Sequence, residues 1–187
     1  EFLCENDWLH CNAKGYETKG GCIDLSLFTK TDPVSNAEDP EEPYDDHAVW
    51  IEAENLRTNT VGKAFQVVSD ATASGGKYLK TVTQTVPAPT DSIYMLATTF
   101  KADKADTYYI YARVNCPSYD DDSYYWGIDE PLDNNRFANG IVTSGWDWKL
   151  IGSKALQAGQ HKLVIGSRED GACIGKLCIT TNPEAQS

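Results

Sequence analysis

From His47 onward, short stretches rich in β-branched and aromatic residues recur about every ten to fifteen positions, separated by Gly, Pro, Asn and Asp. This spacing leaves room for strands and turns but not for a helix of several turns. It predicts strands at 48–54 (AVWIEAE), 65–69 (FQVVS), 77–83 (KYLKTVT), 93–100 (IYMLATTF) and 107–114 (TYYIYARV). Further strands are predicted at 122–128 (DSYYWGI), 146–152 (WDWKLIG), 161–167 (HKLVIGS) and 173–181 (CIGKLCITT). Within 107–114, Tyr108, Ile110, Ala112 and Val114 alternate with Tyr109, Tyr111 and Arg113, the period of a strand with one core face. No segment keeps a helical period over ten residues. The expectation is an all-β fold, an antiparallel β-sandwich.

Residues 1–31 carry three of the six cysteines and little periodicity, and residues 32–46 combine three prolines with a dense acidic run that reads as an extended linker. The chain therefore divides into a cysteine-containing N-terminal segment with its linker, 1–46, and a sandwich domain, 47–187. The cysteines stand at 4, 11, 22, 116, 173 and 178 without a CxxC pair, which disfavours structural zinc. An even count in a chain of this composition predicts disulfides, an oxidising compartment and secretion; the rival reading is reduced, buried thiols. Six cysteines allow 15 connectivities. If all six pair, three on each side of the linker force at least one bond across it.

A formal net charge of -12 over 187 residues disfavours nucleic acid and anionic membrane surfaces as partners. No apolar run approaches the roughly 20 residues of a membrane span. The chain holds no GxSxG elbow, HExxH helix or phosphate-cradling glycine loop. Carboxylates are abundant: Glu52 and Glu54 share one strand face, and Asp120, Asp121 and Asp122 share a loop. Solvated acidic loops account for most of them.

Aromatic and polar residues concentrate at strand starts and in loops: Tyr124, Tyr125, Trp126, Asn134, Asn135, Arg136, Trp146 and Trp148. A pyranose presents an apolar CH face and a ring of hydroxyls, so its site needs an aromatic platform beside hydrogen-bonding side chains. Counting strands places the connections 70–76, 129–145 and 168–172 at one end of the sandwich. The candidate ligand contacts are Trp146, Trp148, Arg136, Asn139, Tyr78, Arg168, Glu169 and Asp170. For Trp146 and Trp148 a core position is the competing reading.

The order of "WIEAEN", "SDATASGGKYL", "ADTYYIYARV", "DSYYWGIDE", "GWDWKLIG" and "LQAGQHKLVIGSREDGACIGKLCIT" resembles carbohydrate-binding modules of families 6 and 35, over residues 47–182. The resemblance implies a jelly-roll sandwich of the galactose-binding-domain-like kind. It also implies a non-catalytic, monomeric module that binds a polysaccharide or oligosaccharide through loops at one end. Such a module is commonly joined to a secreted glycoside hydrolase or lyase. Trp146 falls at the family's stacking platform. The resemblance further implies a structural calcium on Glu52 and Glu54, with Asp70 as a replacement ligand because Gly175 stands where the family usually has Asp. Two other functions stay open: a sandwich lyase or hydrolase using Tyr125, His161 or Asp120–Asp122, and a disulfide-stabilised structural or adhesion domain.

Overall fold

A computed structural model describes residues 48–56 and 64–185. The N-terminal segment, the linker boundary near residue 46 and the cysteines at 4, 11 and 22 lie outside the described residues.

Among the described residues ten strands form two antiparallel sheets. They are β1 (Val49–Glu52), β2 (Phe65–Ser69), β3 (Lys77–Thr81), β4 (Met95–Ala102), β5 (Asp106–Asn115), β6 (Tyr124–Ile128), β7 (Phe137–Ala138), β8 (Asp147–Leu156), β9 (Gly159–Ser167) and β10 (Cys173–Thr180). One sheet runs β2-β3-β10-β5-β8, with β1 also paired to β10; the other runs β4-β9-β6-β7. Among the described residues there is no α-helix, only 3-10 turns at Ala53–Asn55, Ser74–Gly76 and Ser92–Tyr94.

The alternation predicted for β5 has a direct counterpart in packing. Tyr108, Ile110, Ala112 and Val114 are fully buried between the sheets, whereas Tyr109 and Arg113 face away. Leu79, Leu96, Ile128, Leu163, Ile165 and Leu177 meet them from the other strands. Each such side chain contributes on the order of 1.5–3 kcal/mol of hydrophobic stabilisation. Tyr124 and Trp126 also belong to this core, so they are structural aromatics rather than surface contacts.

Two irregularities shape the face opposite the core. β10 pairs with β5 through Ile174↔Val114 and then Lys176↔Arg113, leaving Gly175 as the extra residue of a bulge. That bulge lets Ile174 and Leu177, three apart, both reach the core and re-aims the residues between them outward. The second irregularity lies between β5 and β8, where Ile110↔Gly152 is followed by Tyr111↔Leu150.

The expected clustering of connections is corrected by β7. This two-residue strand pairs with β6 (Tyr124↔Ala138, Tyr125↔Phe137) and divides the long connection, so 129–136 and 139–146 lie at opposite ends. Asp129 accordingly sits beside Lys162, to whose carbonyl its N–H donates at 2.9 Å. The connections sharing an end with 168–172 are 82–94, 116–123 and 139–146. The turn 70–76 instead folds back beside the middle of β10, where Ser74 reaches Glu52.

Candidate functional site

Tyr78 occupies the outward position of β3 next to core Leu79, and it meets Trp146, the residue before β8, edge to face with ring centroids 5.2 Å apart. The indole lies over Gly175. A side chain there would put its Cβ 3.1 Å from Cζ3 of Trp146, so the absent side chain gives the ring its seat on the sheet. The indole N–H donates to the Thr72 hydroxyl at 3.2 Å, and that hydroxyl donates to Oδ1 of Asp70 at 2.8 Å. The Thr72 backbone N–H and then the hydroxyl hold Asp70 below its ordinary pKa, so it is a carboxylate at neutral pH. Burial raises the Tyr78 phenol, with Cys173 and Asp70 adding to the effect, so this ring stays neutral. The Arg113 guanidinium carbon stands 5.7 Å from the Trp146 ring centroid.

This assembly lies on the outer face of the six-stranded sheet, not at the tip of the sandwich. It brings together Trp146, Tyr78 and Asp70, with Trp148 in register with Arg113. Arg113 and Thr72 were not singled out from the sequence. The outward phase of β5 carried the signal for Arg113; nothing local marked Thr72.

Other predicted contacts fall elsewhere. Arg168 donates to Ser123 at 2.6 Å, to Asn139 at 3.2 Å and to Glu169 at 2.8 Å, and it lies 4.3 Å over the Phe137 ring. The second Glu169 oxygen accepts the Asp122 N–H at 3.1 Å. Asp122 is 1% exposed, and burial pushes its carboxyl above the usual range, with the neighbouring Glu169 contributing. Asp170 is exposed. Arg136 pairs with Glu130 at 2.7 Å and lies over Trp126, on the strand that begins at Tyr124. The predicted set therefore forms three groups rather than one site.

Glu52 and Glu54 converge on Gly75, whose φ of 66° places it in the left-handed region; a Cβ there would lie 2.9 Å from Glu54 Oε1 and 3.5 Å from Glu52 Oε2. Glu52 Oε1 accepts from Ser74 and pairs with Lys176, both at 2.9 Å. The remaining oxygens, Glu52 Oε2 and Glu54 Oε2, are buried without a hydrogen-bond partner. Two carboxylates converging on one glycine, each with an orphaned oxygen, suit a hard cation, the ligand chemistry of calcium. Asp70 is not with them: it serves Thr72, and among the described residues no three acidic, His or Cys side chains converge on one point.

Cys116 and Cys173 are free, buried thiols, so the expected disulfides do not include these two. Burial raises them to about 12 and about 11, respectively.

Neither a protein-family model nor a curated protein matches the sequence. Solved structures do resemble the fold. The family 35 carbohydrate binding module from Clostridium thermocellum superposes with a TM-score of 0.51 at 22% identity, covering 71% of this chain and 98% of that one. The C-terminal CBM6 of the marine laminarinase LamC from Zobellia galactanivorans gives 0.53 at 18%, covering 71% and 98%. The Podospora anserina GH26-CBM35 β-(1,4)-mannanase gives 0.56 at 14%, covering 73% of this chain but only 28% of the enzyme. At these identities the likeness establishes the fold: the described residues form a β-sandwich of the CBM6 and CBM35 type.

Proposed function

We propose that the sandwich is a non-catalytic module that binds a polysaccharide or oligosaccharide, and that Trp146 is its stacking platform. The observation that carries this reading is the Tyr78–Trp146 pair, held on the surface by the Thr72–Asp70 relay and flanked by Arg113. A pyranose CH face stacks on the indole, while the guanidinium and the Asp70 carboxylate serve its hydroxyls. Two carboxyls among the described residues favour binding over acid catalysis in this reading. Asp70, the carboxylate of the assembly, is held ionised, and Asp122, the carboxyl with a raised pKa, is sealed from solvent.

Glu52 and Glu54 would hold a structural calcium; when bound, it supplies the charge that offsets two adjacent carboxylates. The module works outside the cell, attached to a catalytic domain, in keeping with the 28% share of the mannanase that it matches.

Affinity electrophoresis through mannan, laminarin and β-1,3-galactan tests the reading. Retarded migration without release of reducing ends is expected, and Trp146→Ala should abolish the retardation. Release of reducing ends would make the domain an enzyme, and free migration through every gel would retire carbohydrate binding.

A further inference from the structure

We infer that the glycan surface continues past Trp146 across the outer face of the six-stranded sheet, through Arg113 and Trp148 to Trp50, so that the module grips an internal run of a polysaccharide chain. This inference rests on the proposed role of Trp146.

Strand phase puts these side chains on one face. Tyr78 is adjacent to core Leu79, Arg113 lies between core Ala112 and Val114, and Trp50 stands between Val49 and Ile51, which pack on the core. Arg113 is in register with Trp148 on one side and with Lys176 on the other. Trp148 and Trp50 meet edge to face with centroids 5.7 Å apart. The Lys176 ammonium, anchored by Glu52, lies 5.4 Å from the Trp50 ring. The row thus reads Tyr78, Trp146, Arg113, Trp148, Trp50, with Lys176 beside the last ring. Tyr78 and Trp50 both stand on strands that pair with β10, so the two ring pairs bridge the sheet side by side, set apart by the two-residue step from Trp146 to Trp148, about 7 Å at roughly 3.4 Å per residue. That exceeds one sugar ring.

The composition of the row selects its occupant. Trp50 and Leu150 stay 49% and 48% exposed, yet cations interleave the apolar surface. Lysine, here Lys176, is depleted at the core of protein–protein interfaces. A glycan chain alternates CH faces with hydroxyls and suits rings interleaved with donors. Arg113 has no carboxylate partner among the described residues, which leaves its N–H donors free for hydroxyls. The surface is also continuous with the Trp146 site through Arg113, which touches that ring.

Calorimetric titration of the full chain tests the inference. The titrants are the di- to hexasaccharides of whichever of mannan, laminarin or β-1,3-galactan retards the protein. Affinity should rise about tenfold or more from disaccharide to hexasaccharide, the factor given by one additional contact of about 1.4 kcal/mol. Trp50→Ala should remove most of that gain, and Trp50→Phe should keep it. Trp148→Ala removes the ring that meets Trp50 and gives an independent variant if Trp50→Ala loses its fold; it should also reduce the gain. Equal affinity for all lengths, with Trp146→Ala still abolishing binding, would leave a single-sugar site and overturn the extension alone. Absence of binding to every glycan would retire the underlying reading and the extension with it.

Discussion

Trp146 is held by three residues far apart in sequence: Gly175 beneath it, Tyr78 at its edge and Thr72 at its indole nitrogen. None of these buries it in the core, so Trp146→Ala should weaken glycan binding about tenfold or more, a stacking loss of order 1 kcal/mol or above, while the thermal transition stays cooperative. Calorimetry with parallel melting measures both. The sequence made Trp146 and Tyr78 visible as candidates because aromatic residues beside turns stand out. It could not show that Gly175, noticed for a missing carboxylate, is the seat of the ring. A second residue-scale feature lies at the other end of the sandwich. His161 Nδ1 and Asp129 Oδ2 are 2.5 Å apart; the Asp129 carboxylate, followed by the Gln157 carbonyl, raises the His161 pKa above 6.5. Burial works to raise Asp129, but the His161 and Lys162 hydrogen bonds hold it below 3.8. The histidine's share of stability is complete below about pH 6.5 and is lost as pH rises through its folded value. The aspartate's share is present above about pH 4 and is lost on acidification. The pair is therefore most effective between those limits. Asp129→Asn, which tolerates the positive φ of 57°, should reduce the fall in melting temperature between pH 6 and 8. An unchanged pH profile would remove the pair from the account. Cys116 and Cys173 should resist iodoacetamide in the native state and react only after unfolding, because burial suppresses their thiolates; rapid native labelling, read by mass spectrometry, would contradict their burial.

At the scale of elements, all nine expected strands have counterparts, because each carries its own two-residue period or buried run between turn residues. The tenth, Phe137–Ala138, is two residues long and leaves no period to read. Without this strand the count of ends reverses, and 70–76 falls with 168–172. The bulge at Gly175 was equally hidden, since a register shift depends on two strands and a sequence displays one at a time. Yet that bulge turns Lys176 toward Glu52 and clears the surface for Trp146. The β5–β8 irregularity offers a direct test of element packing. A Cβ on Gly152 would stand 2.1 Å from Cζ2 of Trp126, so the two sheets approach there only because position 152 has no side chain. Gly152→Ala should destabilise the fold by about 1–3 kcal/mol through overpacking, which chemical denaturation will measure as a lower midpoint. A midpoint equal to that of the parent would mean that Trp126 has room to move aside.

Across the whole molecule, the dominant fact is a net charge of -12, which makes every close pair of carboxylates a question about what offsets it. Among the described residues several carboxylates have protein partners: Glu130 has Lys154 and Arg136, Asp147 has Lys149, and Glu169 has Arg168. Glu52 and Glu54 are only half served, since Lys176 and Ser74 take one oxygen and two others remain buried and unpaired. Leaving such groups unsatisfied costs about 1–3 kcal/mol each, more when charged, so a bound divalent cation would stabilise the native state. Linkage adds RT ln(1 + [L]/Kd), about 2.7 kcal/mol at a hundredfold excess over Kd. A chelator should accordingly lower the melting temperature of the full chain, and added calcium should restore it. Lys176 lies against one of the two carboxylates and repels a divalent ion, so the wild-type affinity should be modest. Lys176→Met should bind calcium more tightly and show a larger chelator-dependent shift, even though its metal-free form is less stable than the parent. The carboxylate pair converges on Gly75 whereas Trp146 is seated on Gly175, so chelation below the melting range should change glycan affinity little. If neither the parent nor Lys176→Met responds to chelator at neutral pH, the two glutamates are held by protein groups alone and the metal has no place in this fold.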